Sequence, residues 1–532
     1  MELQASMAVE RLWSPGLRRA LLLLALLIAL SLLPVLFLMP LFNAPFERDQ
    51  GLYGVIARGW LDGSIPYRDL WDNKPPVLYL WYAGAFKLFG ETVVAPRLLA
   101  ALAAAAALPF VWDSARILLG PRRGLLAALL FALAFANPFL QANANAEILM
   151  LLPLAAGFWA VVRGAGGSEW WFLPAGLFTT FAVLTKQAAA LPLAGYALWL
   201  AVLAARNPDE RTQRLRSLLL LGSGAALGLA PLAAYFCAHG ALDDLWYATV
   251  HLNFLFSSDY AFYTKLLPPL LLNPPPLFGG LFLWALAVFG GLRLWQRRDR
   301  VAGLLLTFAV SSELATHLLG KTSPHYNVGL LPAAAVLGAV GLDSVIDGWR
   351  KDRRWQGYAL AACAVVVAGV SLFLYARPGA DDRFLVQYTY TDYAHRSLDA
   401  EVIADDVAAL TAPDDYVYEF GRQSDIYFLA DRRPASRWVH NRAYGIYPSM
   451  MTEVVRDLEL RRPKLVLLTF KCEPSDREFE GCQSGPPAEL KQHLDAHYRY
   501  AGRVEYAELY LRVDAAASRP PAQTEVEGER TR

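Results

Sequence analysis

Cysteine, histidine and net charge are all in short supply in this chain. Four cysteines and eight histidines are spread over 532 residues, and no His/Cys cluster has the spacing of zinc ligands. Lys and Arg total 49 against 48 Asp and Glu, a net charge of +1, which excludes a global polyanion-binding surface and gives no reason to expect a nucleic-acid partner. No fixed-period repeat is present, and the biased tracts are limited to an alanine run near Ala103 and a polar tail from Ser518. The missing repeat counts against a transporter built from inverted halves.

Apolar residues, by contrast, make up 55% of the chain. That is too apolar for one soluble domain and too long for one hydrophobic core. A bilayer core of roughly 30 Å takes about 20 apolar residues per helix. Such runs recur near residues 17–42, 93–118, 123–140, 147–163, 170–188, 189–205, 217–238, 275–295, 301–319, 326–346 and 357–376. The pattern predicts a polytopic α-helical membrane protein with about eleven transmembrane helices over 1–376, and a first extracytoplasmic loop at about 43–92. Leu17 to Phe42 has a basic flank in Arg11, Arg18 and Arg19, but it far exceeds the roughly 7–15 residue core of a signal peptide. Its exit, Asn43-Ala44-Pro45, puts proline where cleavage would fall, so a retained helix is predicted.

Basic loops set the orientation. Arg18-Arg19, Arg122-Arg123, Arg206 to Arg216, Arg297 to Arg300 and Arg350 to Arg354 fall on one alternating set, which places the N-terminus in the cytoplasm. After eleven spans, residues 377–515 lie on the opposite face. There Glu401 to Leu410 reads as an amphipathic helix, Tyr416 to Phe420 and Leu465 to Phe470 as strands, and Ser449 to Leu460 as helical between them. A small extracytoplasmic α/β domain is predicted, followed by a disordered tail over 516–532. In an oxidising compartment Cys472 and Cys482 can close a short disulfide loop, with two free thiols as the alternative. Cys237 and Cys363 lie in apolar runs and read as packing residues.

The informative residues are polar ones in apolar surroundings, because ionisable groups at membrane depth are costly and point to function or to a buried pair. On this topology Asp49, Lys74, Glu147, Lys186 and His325 all fall at or near non-cytoplasmic helix ends. The first extracytoplasmic loop holds Phe46-Glu47-Arg48-Asp49-Gln50-Gly51-Leu52-Tyr53, then Pro66-Tyr67-Arg68-Asp69, then Asp72-Asn73-Lys74-Pro75-Pro76. Trp170-Trp171 and Trp246-Tyr247 read as interface aromatics, and Phe254 to Tyr263 as a lining for a sugar or lipid cleft.

With these motifs, followed by Glu147, Thr185-Lys186-Gln187 and Pro324-His325-Tyr326 ahead of Pro332, the sequence over about residues 40–330 resembles the GT-C membrane glycosyltransferases. It is most similar to the family 39 group, which includes protein O-mannosyltransferases and the aminoarabinose lipid A transferase. The resemblance implies a bacterial inner-membrane enzyme that moves a sugar from a polyprenyl-phosphate carrier to a lipid, glycan or protein acceptor outside the cytoplasm. It also implies that Asp49 is the general base, with Glu47 as a second carboxylate. Lys74 would hold the donor phosphate, and Tyr53, Tyr67, Glu147, Lys186, His325 and Tyr326 would be substrate contacts. Gln50 stands where many relatives carry a second acid, and Leu52 where some lipid A transferases carry arginine. Both departures count against the lipid A branch. No cofactor is expected, although Asp49 with Glu47 leaves a hard divalent cation open. Two other classes fit the same composition: a flippase or transporter of polyprenyl-linked glycans, and a non-catalytic glycan-binding assembly protein.

The topology has a direct test. A reporter fused after Arg377 should be active only outside the cytoplasm, and one fused after Arg354 only inside; the reverse pattern would overturn the orientation.

Overall fold

The computed structural model describes residues 15–137, 140, 143–258, 280–317, 324–350, 391–444, 446–469 and 486–513. The span expected near 357–376, Cys363, Cys472, Cys482 and the tail over 516–532 lie outside the described residues. The chain divides into two compact units, one of residues 1–44 and 73–391, the other of residues 45–72 and 392–532.

The first unit is helical. Among the described residues six helices are long and apolar enough to cross a membrane: Gly16–Asn43, Val94–Leu119, Ala146–Gly166, Gln187–Arg206, Pro208–Ala238 and His325–Arg350. Other runs form shorter or less apolar helices at Pro121–Ala134, Phe172–Thr185, Leu281–Arg297 and Arg300–His317. Small residues set the packing distance. Ala100, Ala101, Ala103, Ala104 and Ala107 bury one side of Val94–Leu119. At Gly176 and Gly224 a Cβ would run into the carbonyls of Leu221 and Leu173, so these two helices meet backbone to backbone. Close approach of this kind is how helices associate where lipid removes the hydrophobic driving force between them. Outward-facing leucines such as Leu22 and Leu219, each 71% exposed, complete an inside-out pattern.

Charges gather at the ends of these helices, and several form ion pairs there. Asp113 accepts from Arg116 at 2.6 Å, from Arg163 at 2.7 Å and from the Trp159 indole at 2.8 Å. Asp343 pairs with Arg122 at 2.9 Å and Arg123 at 2.8 Å, and Glu210 with Arg214 and Arg300 at 2.6 and 2.8 Å. These are the ends that the basic loops occupy.

The second unit is α/β. Strands β1 (Tyr416–Phe420), β2 (Arg433–Pro434), β3 (Leu465–Leu468), β4 (Tyr498–Val504) and β5 (Ala507–Arg512) form a sheet in the order β2-β1-β3-β5-β4. The β1–β2 and β1–β3 pairs are parallel, and β3–β5 and β4–β5 antiparallel. All four residues of β3 are buried, as expected of a strand covered on both faces. Helix Thr391–Leu410 buries Ala400, Ile403, Ala404 and Val407, one stripe at helical spacing. Arg432 caps that helix by donating to the carbonyls of Ala408 and Thr411 at 3.1 and 2.8 Å.

Glu419, the fourth residue of β1, is fully buried and accepts from the Thr469 hydroxyl. Burial pushes its carboxyl up to about 7, with the Thr469 hydroxyl, the Gln423 amide and the charge of Arg48 pulling the other way. Asp425 is also fully buried, and burial together with the Glu419 charge raises it well above the usual range. Native Glu419 therefore holds its proton to higher pH than an unfolded chain, whose carboxyl sits near 4.5. The native state binds more protons across that window, so this stabilisation is complete below about pH 4.5 and is lost as pH rises through about 7. The melting temperature of the detergent-purified protein should carry that downward component, and Glu419→Gln should flatten the slope. An identical slope in the variant would show that Glu419 does not titrate there.

Candidate active site

In the helical unit, the polar residues singled out from the sequence converge. Phe172–Thr185 ends at Thr185, Lys186 takes an extended conformation (φ −148°, ψ 121°), and a short 3-10 turn leads into Ala190–Arg206. That break directs the Lys186 side chain inward instead of along a helix surface. Glu147 lies in the first turn of Ala146–Gly166, where the helix dipole favours an anion. The two form a buried ion pair, with side chains only 8% and 4% exposed. The Lys186 ammonium also sits 3.8 Å from the centre of the Tyr326 ring, a cation–π contact. His325 Nε2 lies 3.7 Å from the same Glu147 oxygen, and its ring meets Tyr326 edge-on at 4.9 Å. Glu147, Lys186 and Tyr326 border a small pocket of about 20 Å³ whose other walls include Met150, Leu154, Pro192, Ser312 and Thr316. Its lining is mostly apolar, with the ion pair and the Ser312 and Thr316 hydroxyls among the polar groups.

Asn73 and Lys74 are tied to the same region. Asn73 is buried; its amide donates to Asn253 Oδ1 at 3.1 Å, and the Asn253 amide donates back to the Asn73 carbonyl at 3.0 Å. The Gln187 amide, next to Lys186, approaches that carbonyl at 3.5 Å. The Tyr79 hydroxyl reaches the Lys74 carbonyl at 3.3 Å, and Pro76 leads into helix Val77–Phe89. Backbone on both sides of the lysine is thus fixed, while its side chain is half-buried. Further anchors run from that helix: Trp81 donates to Thr185 at 3.1 Å and Tyr82 to the Ala144 carbonyl at 2.7 Å, just before Lys186 and Glu147. Asn253 was not foreseen. Its one sequence signal is an amide among the aromatics after Trp246, and the π-helical turn Tyr247–His251 that presents it has no readable pattern.

The other candidates belong to the α/β unit. Asp49 lies in the first turn of helix Arg48–Leu61, 42% exposed and 3.6 Å from the Arg48 guanidinium. Glu47 precedes the helix with extended backbone and makes no side-chain cap. Tyr53 is buried in the same helix. Tyr67 is fully buried with φ at +70°, a conformation rare for an aromatic residue and worth about 1–3 kcal/mol of strain. Its amide donates to the Leu70 carbonyl at 2.7 Å. Burial first, then the charge of Asp72, holds the Tyr67 hydroxyl well above its usual pKa. Asp69 feels burial most, yet bonds from Arg68 and the Ile65 amide outweigh it and keep that carboxyl below the usual range. Among the described residues no group of three or more His, Cys, Asp or Glu side chains is placed to hold a metal ion.

Comparison with solved structures identifies the architecture. ArnT from Cupriavidus metallidurans, crystallised bound to undecaprenyl phosphate, superposes with a TM-score of 0.61 at 16% identity, over 93% of this chain and 99% of that one. Its apo state gives 0.61 at 15% identity, over 94% and 100%. The chain has the GT-C fold. Residues 73–236, which include Lys74, Glu147 and Lys186, also match the family described as dolichyl-phosphate-mannose-protein mannosyltransferase. A comparison with curated proteins gave no significant match. With the GT-C fold and its apolar spans, the chain is an integral membrane protein.

The buried pair in the GT-C bundle makes a stability prediction. Lys186→Met leaves Glu147 without its partner and should cost about 3–5 kcal/mol, whereas Glu147→Leu with Lys186→Met should recover most of that loss. Thermal unfolding in detergent measures both. A double variant no more stable than the single would dissociate the two charges.

Proposed function

We propose that this protein is a glycosyltransferase that takes a sugar from a polyprenyl-phosphate carrier and passes it to an acceptor on the extracytoplasmic side of a bacterial inner membrane. The observation that carries this reading is the buried Glu147–Lys186 pair stacked on Tyr326 at a mostly apolar pocket, in the same region as a backbone-clamped Lys74. A lipid with an anionic head is the ligand class such a site suits, and the fold is shared with a protein crystallised with undecaprenyl phosphate.

Lys74, in the motif Asn73-Lys74-Pro75-Pro76 that matches the phosphate-binding segment of the GT-C relatives, takes the donor phosphate and stabilises it as the glycosidic bond breaks. Lys186 is paired with Glu147 and stacked on Tyr326, so it adds little net attraction for a phosphate. Lys186, His325 and Tyr326 shape the pocket around it. Asp49, partly exposed in the first turn of its helix, removes the proton from the acceptor hydroxyl as that oxygen attacks the anomeric carbon. Glu47 stands two residues away as a supporting carboxylate, and Tyr53 and Tyr67 stabilise the segment that carries both. The bond to the carrier phosphate breaks as the new glycosidic bond forms, and the polyprenyl phosphate leaves.

Asp49→Asn should abolish transfer while undecaprenyl phosphate still binds. Lys74→Ala should weaken that binding about 10- to 150-fold, the equivalent of about 1.5–3 kcal/mol for a charge-assisted contact. Carrier affinity and single-turnover transfer with the polyprenyl-phosphate-sugar fraction of native membranes separate the two roles. Near-normal transfer by Asp49→Asn would end the base assignment, and unchanged affinity in Lys74→Ala would end the phosphate assignment.

A further inference from the structure

Helix Arg48–Leu61 is built into the α/β unit along one side. At Gly51 there is no room for a side chain, because a Cβ would fall on the backbone of Asp425. Three residues on, a Cβ at Gly54 would lie 2.9 Å from the Phe428 ring. Phe46, just before the helix, packs against the same ring at 5.1 Å. Arg58 stands 4.4 Å above it and pairs with Asp431 at 3.0 Å. Positions 51, 54 and 58 form one stripe at helical spacing, so Phe428 and its neighbours are a seat for that face. Asp49 is two residues from Gly51, roughly 200° around an axis that turns about 100° per residue. The seat grips the helix on the side away from this carboxylate and leaves it exposed.

The other end of the segment is pinned as well. The Trp71 amide donates to the Arg437 carbonyl at 2.8 Å, and its ring packs 5.1 Å from Trp438. Asp72 faces His440 at 3.7 Å. Both ends of residues 46–72 are therefore held by residues between 425 and 440, and the helix has little freedom to turn or slide.

We infer that the C-terminal α/β fold is the positioning element for Asp49, with Phe428 as the positioning residue that, through Gly54, sets the rotation of the helix bearing this carboxylate. The inference rests on the assignment of Asp49 as base. It gives the soluble domain a part in turnover without requiring it to bind a glycan. Displacing a reacting group by about 1 Å can cost about 100-fold in rate, so a methyl group inserted into the seat should be felt in turnover.

The test uses Gly54→Ala, Phe428→Leu and the double variant in the full chain. Three readouts apply: affinity for undecaprenyl phosphate, turnover with the saturating polyprenyl-phosphate-sugar fraction of native membranes, and hydrogen exchange. Gly54→Ala should lower turnover about tenfold or more, leave carrier affinity within about twofold, and speed exchange in 48–61 but not in β3. Adding Phe428→Leu should restore much of the turnover, since the smaller side chain leaves room for the added methyl. A purely structural role would lower the folded fraction without this split or this rescue. Wild-type turnover in Gly54→Ala, with or without faster exchange, overturns the inference. So does slow turnover that Phe428→Leu fails to rescue. Asp49→Asn is measured alongside. If it transfers normally, the base assignment falls by itself. The exchange data then still decide the seat: unchanged rates in 48–61 in both single variants refute it, and acceleration confined to 48–61 supports it.

Discussion

A charge placed among apolar helices has to be neutralised where it stands, because neither lipid nor packed hydrocarbon can solvate it. The helical unit obeys this at Asp113, Asp343 and Glu147. Asp113 is met by two arginines and an indole, Asp343 by two arginines, and Glu147 by Lys186 with His325 nearby. The solutions at the two kinds of helix end differ in chemistry. Where the basic loops lie, arginines outnumber the carboxylates and form partly exposed networks. Around Glu147, among the described residues, a carboxylate, an ammonium and two rings cluster at the edge of a mostly apolar pocket. The first arrangement secures helices; the second leaves a cavity with polar groups around it.

Much of the bundle is legible in the sequence because hydropathy and the cost of burying charge act locally. Lys186 stands out since it lies between two apolar runs, and the structure places it at the break between two helices. The strands Tyr416–Phe420 and Leu465–Leu468 and the helix Met450–Arg461 are similarly readable from period alone. Glu419 is not. In Tyr-Val-Tyr-Glu-Phe it reads as the solvent side of an alternating strand, yet β1 lies inside a sheet with parallel neighbours on both sides, and its carboxyl is buried and proton-holding.

What the sequence conceals most is contact between segments that are far apart along the chain. Arg437 approaches the Tyr67 carbonyl across 370 residues, and Asn73 pairs with Asn253 across 180. Neither contact has a period or a spacing. Pro66-Tyr67 can be noticed as a motif, but the positive φ of Tyr67 follows from packing that only the folded α/β unit supplies. Gly51 and Gly54 could equally mark a weak helix. Their meaning comes from Asp425 and Phe428, which occupy the space that side chains would need.

These long-range contacts change how the first loop should be understood. A loop of nearly thirty residues between two membrane helices would ordinarily be mobile, and a general base carried on it would lose most of its advantage to disorder. Here residues 45–72 belong to the same compact unit as 392–532. The segment buries Phe46, Tyr53, Tyr67 and Trp71 and holds Tyr67 in a strained conformation that free chain would abandon. Strain of that kind persists only where surrounding packing over-determines the backbone. The segment is therefore rigid because a fold encoded more than three hundred residues later encloses it. Asp49 keeps its exposure because that fold takes hold of the opposite side of its helix.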